Sequence, residues 1–173
     1  MTDQLRDWHD FYILIGTAAA TLVGLMFVAA SVGATYFTEE QEIQARSFLT
    51  PTVVHFSVVL LSCLACMAPP LAGAPLGGVL AAGGVIGIGQ SCRVALRLRR
   101  RGIMQRIDLA DRSCYILIPM ATYATLIATG VILPTRPALG LGMLAAVLVA
   151  LLLLGIRNAW DMTVWIVLHT PNR

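Results

Sequence analysis

Five apolar runs of membrane-spanning length, set apart by short polar or proline-bearing breaks, occupy most of a 173-residue chain. They fall at 11–37, 51–68, 76–96, 113–133 and 138–156, and a helix crossing hydrocarbon needs about 20 apolar residues. In lipid the backbone must satisfy its own hydrogen bonds, so each run reads as a helix. The composition agrees: 58% of residues are hydrophobic and 12% charged, against roughly 45–50% and 25% in a soluble domain. The expected fold is all-α, a polytopic integral membrane protein built as one five-transmembrane-helix bundle over residues 1–173. No room is left for a soluble catalytic domain.

The breaks carry helix-end signals. The N-terminal residues lack a basic n-region and lead into an apolar run too long for a signal peptide, so the first span is expected to be retained. Thr38-Glu39-Glu40-Gln41 has capping-box spacing and predicts a helix start at Thr38. Thr50-Pro51 repeats the start signal before the second span, and Pro69-Pro70 stops it. The third span holds glycines 77, 78, 83, 84, 87 and 89. In water these would argue against a helix, but between membrane helices they allow close approach. Pro119 predicts a kink in the fourth span, and Pro134-Thr135-Arg136-Pro137 a tight turn into the fifth. Residues 157–173 read as an amphipathic C-terminal tail.

Every basic charge in Lys or Arg is an arginine, which excludes Schiff-base lysine chemistry. Seven of the twelve arginines lie in 93–112, around a basic loop expected at 97–112 and led by Arg97, Arg99, Arg100 and Arg101. Short basic loops face the cytoplasm. An odd number of spans then places the N-terminus outside and the C-terminus inside, in the plasma membrane, the inner one in a bacterium. The expected partner of the cluster is the bilayer itself, through anionic lipid headgroups at the inner face. Nucleic acid is not expected, because no aromatic residue interleaves the arginines. Trp8, Tyr12, Tyr115, Trp160 and Trp165 fall near helix ends, the usual headgroup-level position of amphipathic rings.

At 100° per residue, Thr17, Thr21, Gly24, Val28, Ser31 and Thr35 lie within about 40° of one line on the first helix. With a helix starting near Thr2, Asp3, Asp7 and Asp10 approach the same line at its outer end. Hydroxyls and carbonyls can replace part of an ion's hydration shell, and acidic groups at an entrance concentrate cations. The fourth helix offers a second line in Thr122, Thr125 and Thr129. The competing role for both is helix packing, the commoner use of such stripes; Gly16, Ala20 and Gly24 add a small-residue series on the first helix, and with the glycines of the third they point to a homo-oligomer.

Among isolated groups, His55 stands one turn inside the second span and is a candidate pH sensor, against the commoner role of a hydrogen-bonded histidine near a helix end. Cys63 and Cys66 have CxxC spacing but sit in an apolar run, where cysteine behaves as a small hydrophobe; Cys92 and Cys114 flank the basic loop on the other side. Arg157 and Asp161, at i and i+4, form with Trp160 a helix-end anchor. No catalytic group, metal ligand set or cofactor is expected. The preferred function is a small homo-oligomeric channel or pore-like transport protein, most readily cation-conducting, and not an enzyme. The alternatives are a non-catalytic scaffold or accessory subunit of a larger membrane complex, and a membrane thiol/quinone oxidoreductase.

Overall fold

The computed structural model describes residues 2–33, 39–68, 71, 73–100 and 116–169. Among them the chain is helical, without strands. The elements are α1 (Thr2–Asp7), α2 (His9–Gly33), α3 (Glu39–Met67), α4 (Ala74–Arg100), α5 (Ile118–Ile132) and α6 (Pro137–His169). Four stretches are long and apolar enough to cross a membrane: His9–Ser31, Thr50–Met67, Ala74–Arg97 and Pro137–Asp161. The fourth expected span is represented by a shorter apolar helix, Ile118–Ile132. Long apolar helices with exposed Leu14, Leu25, Phe27, Leu61, Val85, Ile86, Val131 and Leu153 indicate an integral membrane protein, since in water such a surface would be a large apolar patch.

Several helix ends differ from the sequence expectation. Thr50-Pro51 does not start a helix: α3 runs through it, with Pro51 inside. A proline lacks only its own N–H, and a membrane helix can re-satisfy the freed carbonyl locally. The basic segment is not all loop either, because α4 extends to Arg100 and carries Arg97, Arg99 and Arg100 in its final turn; Arg101 lies outside the described residues. At the N-terminus, a break at Trp8 separates α1 from α2, so Asp3 and Asp7 belong to a different helix from Asp10. Pro119 falls in the first turn of α5, directly after a π-helical turn at 116–117. Beyond Ile156, α6 continues without interruption to His169.

Two turns order the bundle. Gly73 takes φ +96°, in the left-handed region that glycine enters without a Cβ penalty, just before α4 begins. Between α5 and α6 the turn is closed by Thr135 N–H and Arg136 N–H donating to Ile132 O at 3.1 and 2.9 Å. The Thr135 hydroxyl adds a third bond to the same carbonyl. A Cβ on Gly140 would come within 2.8 Å of Leu133 Cα, so glycine there lets the two helices leave the turn in contact.

Helix α5 lies antiparallel along α4. Gly77 meets the backbone of Gly130, Gly84 meets Tyr123 O and Ile127, and Gly87 meets the Tyr123 ring. α3 packs between α2 and α6, and α6 also packs on α5. Gly16 of α2 abuts Cys63 of α3, and Gly155 of α6 abuts Phe56. The core so formed is apolar and includes Tyr12, Val59, Cys63, Leu80, Tyr123, Leu126, Leu144, Leu148 and Leu151. Much of the glycine in α4 therefore serves contacts inside the chain, whereas Gly78 and Gly89 face open space.

Candidate functional site

The expected hydroxyl stripe of α2 faces outward: Thr17, Thr21, Gly24, Val28 and Ser31 are all exposed. The Thr21 hydroxyl donates to Thr17 O and that of Ser31 to Phe27 O, each at 2.9 Å. These are backbone bonds one turn back, the local alternative open to Ser and Thr in a membrane helix. Thr35 lies outside the described residues. At the other end Asp7 and Asp10 are exposed, with Asp10 Oδ1 3.4 Å from His9 Nδ1; the side chain of Asp3 is outside those described.

The second line divides. Thr122 and Thr129 are buried and Thr125 is exposed, and all three hydroxyls donate to the carbonyl four residues earlier at 2.8–2.9 Å. Helix α5 is flanked by α4 and α6, so its threonines belong to a different side of the bundle from the α2 stripe.

The sharpest polar contact inside the bundle joins α3 and α5. His55 is 4% exposed and Tyr123 fully buried; His55 Nδ1 and the Tyr123 hydroxyl share a hydrogen bond of 2.6 Å, with ring centroids 5.6 Å apart. Glycine at 87 makes this possible, because a side chain there would overlap the Tyr123 ring. Below it, the Ser91 hydroxyl donates to Gly87 O at 3.0 Å. His55 is thus a hydrogen-bonded residue buried between helices. Its neighbour was hidden in the sequence, where Tyr123 was one more residue of an apolar run; a lone polar ring inside such a run was the available signal.

Tyr12, near the start of α2, packs inside the bundle. It is 1% exposed, and its hydroxyl has no hydrogen-bond partner among the described residues. It lies in the same core cluster as the free, buried thiols of Cys63 and Cys66. Cys92 is a free thiol at intermediate burial; Cys114 and Tyr115 are outside the described residues. A second unpartnered atom, Oδ1 of Asn158, is buried in α6.

Around Asn158, Arg157 Nε and Asp161 Oδ2 are 3.7 Å apart on the half-exposed flank of α6, and Trp160 is 67% exposed. Arg97 and Arg99 are exposed at the end of α4, and the side chain of Arg100 is outside those described. The described residues bring together no group of three or more His, Cys, Asp or Glu able to hold a metal ion. No protein-family model matches the chain, and neither a curated protein nor a solved structure matches it.

Proposed function

We propose that the chain is a non-catalytic subunit of a membrane assembly, threaded five times with its N-terminus outside, which associates with copies of itself through the outward face of α2. One observation carries the association: a face of small and hydroxyl residues, Thr17, Thr21, Gly24 and Ser31, is exposed on a helix that, among the described residues, is covered mainly by α3 and more lightly by α6 and α1. Small residues let helix backbones approach, and lipid supplies no hydrophobic drive for helices to associate, so close packing and hydroxyl contacts set the interface. The fifth crossing rests on α5. At 15 residues it reaches about 22 Å, yet it lies against α4 from Gly77 to Gly87 and turns tightly into α6, both apolar enough to span. Orientation rests on the arginines that end α4, which anionic lipid headgroups on the cytoplasmic side would hold.

The cation-channel reading keeps one specific support. The same α2 face would line a shared path if first helices converged around an axis, with exposed Asp7 and Asp10 near one end.

Both readings are tested in one preparation. Wild type, Gly24→Leu, and a triple change of Asp3, Asp7 and Asp10 to Asn are reconstituted in liposomes, and subunits are counted by single-molecule photobleaching. Assembled wild type and monomeric Gly24→Leu are the expected result; monomeric wild type overturns the association. Cation flux that the triple change weakens selects the pore over the scaffold, and assembled protein without flux selects the scaffold.

A further inference from the structure

We propose that the outward face of α2 docks on the outward face of α5 in a second copy of this chain, the two helices antiparallel, with Asp10 of one copy paired to Arg136 of the next. This rests on the reading that α2 mediates self-association, and it names the surface that α2 meets. The charges point to it. Arg136, in the turn between α5 and α6, is the one charged residue in 113–156. It is exposed, and among the described residues its guanidinium has no ion-pair partner. Residues 68–73, which join α3 to α4 at the same end of the bundle, carry no charge. The complementary charge at that end stands at the start of α2, where Asp7 and Asp10 are exposed and Asp10 Oδ1 lies 3.4 Å from Nδ1 of its neighbour His9.

Asp10 belongs to the hydroxyl line of α2, about two turns before Thr17. The heights of α2 and α5 follow from contacts inside the chain. Gly16 abuts Cys63, Gly83 faces Val58, and Gly77 meets Gly130. Counting residue for residue along these antiparallel helices, Gly16 stands level with Thr129. Asp10 is then level with Arg136, Thr21 with Thr125 and Gly24 with Ala121, each to within one residue, or about 1.5 Å. Ala121 and Thr125 are exposed one turn apart on one face of α5. Small side chains on both helices let the backbones approach, and an antiparallel pair sets opposite dipole ends side by side. Within one chain α2 packs chiefly on α3, and α5 on α4 and α6, so the two faces lie on different sides of the bundle. A second copy has to supply the match, and a head-to-tail contact of this kind closes into a ring or continues as an open array.

The test uses the full chain in liposomes, in a Cys92→Ser, Cys114→Ser background that leaves the buried Cys63 and Cys66 in place. Chains carrying Thr21→Cys and chains carrying Thr125→Cys, each with its own epitope tag, are reconstituted together and treated with a short bis-maleimide. Linked pairs bearing both tags are expected, and links between two Thr21→Cys chains are not. Asp10→Arg and Arg136→Asp, by setting like charges together, each weaken assembly about tenfold or more. The chain carrying both changes regains wild-type assembly. Wild type that stays monomeric by subunit counting overturns self-association and the pairing with it. Assembled protein without mixed-tag links overturns the pairing alone. A double-charge variant that stays weakly assembled does the same, because Arg136 then serves a lipid phosphate or its own turn and not the Asp10 of a neighbouring copy.

Discussion

Replacing Tyr123 by Phe deletes one oxygen from the interior of the bundle and leaves His55 Nδ1 without the partner it has at 2.6 Å. Both residues are almost completely buried, so no water replaces the lost hydroxyl. Interhelical hydrogen bonds in membrane proteins average about 0.6 kcal/mol and reach about 1.7 kcal/mol, whereas orphaning a buried polar atom costs about 1–3 kcal/mol. The short distance and full burial place Tyr123→Phe near the overlap of those ranges, about 1.5 kcal/mol, or roughly a tenfold fall in the folded-to-unfolded ratio. His55→Phe carries a similar cost, because it orphans the Tyr123 hydroxyl instead. The double variant orphans neither group, so its cost falls short of the sum of the two single variants by about 1 kcal/mol. SDS-driven unfolding in bicelles, followed by helical circular dichroism for all four proteins, measures the coupling. Single-variant costs that add to within about 0.3 kcal/mol would show that the two rings merely touch.

Three further outcomes follow from the packing and the charge distribution. Gly130→Ala forces a Cβ to within 3.0 Å of Ala81 N and against Gly77 O, and is expected to lose about 1–3 kcal/mol in the same assay; Gly78→Ala, whose Cβ meets nothing within 4 Å, leaves stability level or higher. Asn158→Leu replaces a buried amide whose oxygen has no partner among the described residues with an apolar side chain of similar size. It raises the unfolding midpoint by the equivalent of about 1 kcal/mol, and a lowered midpoint would reveal that the amide is paired in the membrane. Changing Arg97, Arg99, Arg100 and Arg101 to Gln weakens retention of the inner face, and protease protection of an N-terminal tag in cells then shows a mixture of orientations instead of one.

The polar contacts inside the bundle were legible only in part. His55 stood out as an ionisable group within an apolar run, but its partner lies 68 positions away on α5, and no helical periodicity links residues on different helices. The hydroxyl stripe of α2 was legible as a line, because 100° per residue follows from the backbone alone. Which way that line faces was not, since an apolar helix in lipid has no polar side to mark its exposed surface. For the same reason the glycines of α4 looked like surplus surface for self-association, and the antiparallel course of α5 takes up Gly77, Gly84 and Gly87 within the chain. Tyr12 illustrates the same limit: its place near a helix end was legible, but that its ring packs in the core beside the close approach of α2 to Cys63 at Gly16 was not.

What the amino-acid sequence determined by itself is the solvent and the secondary structure: apolar runs of about 20 residues must lie in lipid and, there, must close their own backbone hydrogen bonds as helices. Even the proline signals worked at this level where the helix truly ended, at the turn before Pro137, and failed at Pro51, where α3 continues. Tertiary structure decided what faces what. Between helices in lipid the hydrophobic effect does not distinguish inside from outside, so the choice falls to backbone approach at glycines such as Gly77 and Gly130 and to a few buried polar groups such as His55 and Tyr123. Those are contacts between residues far apart in the chain, and they exist only once the helices are packed.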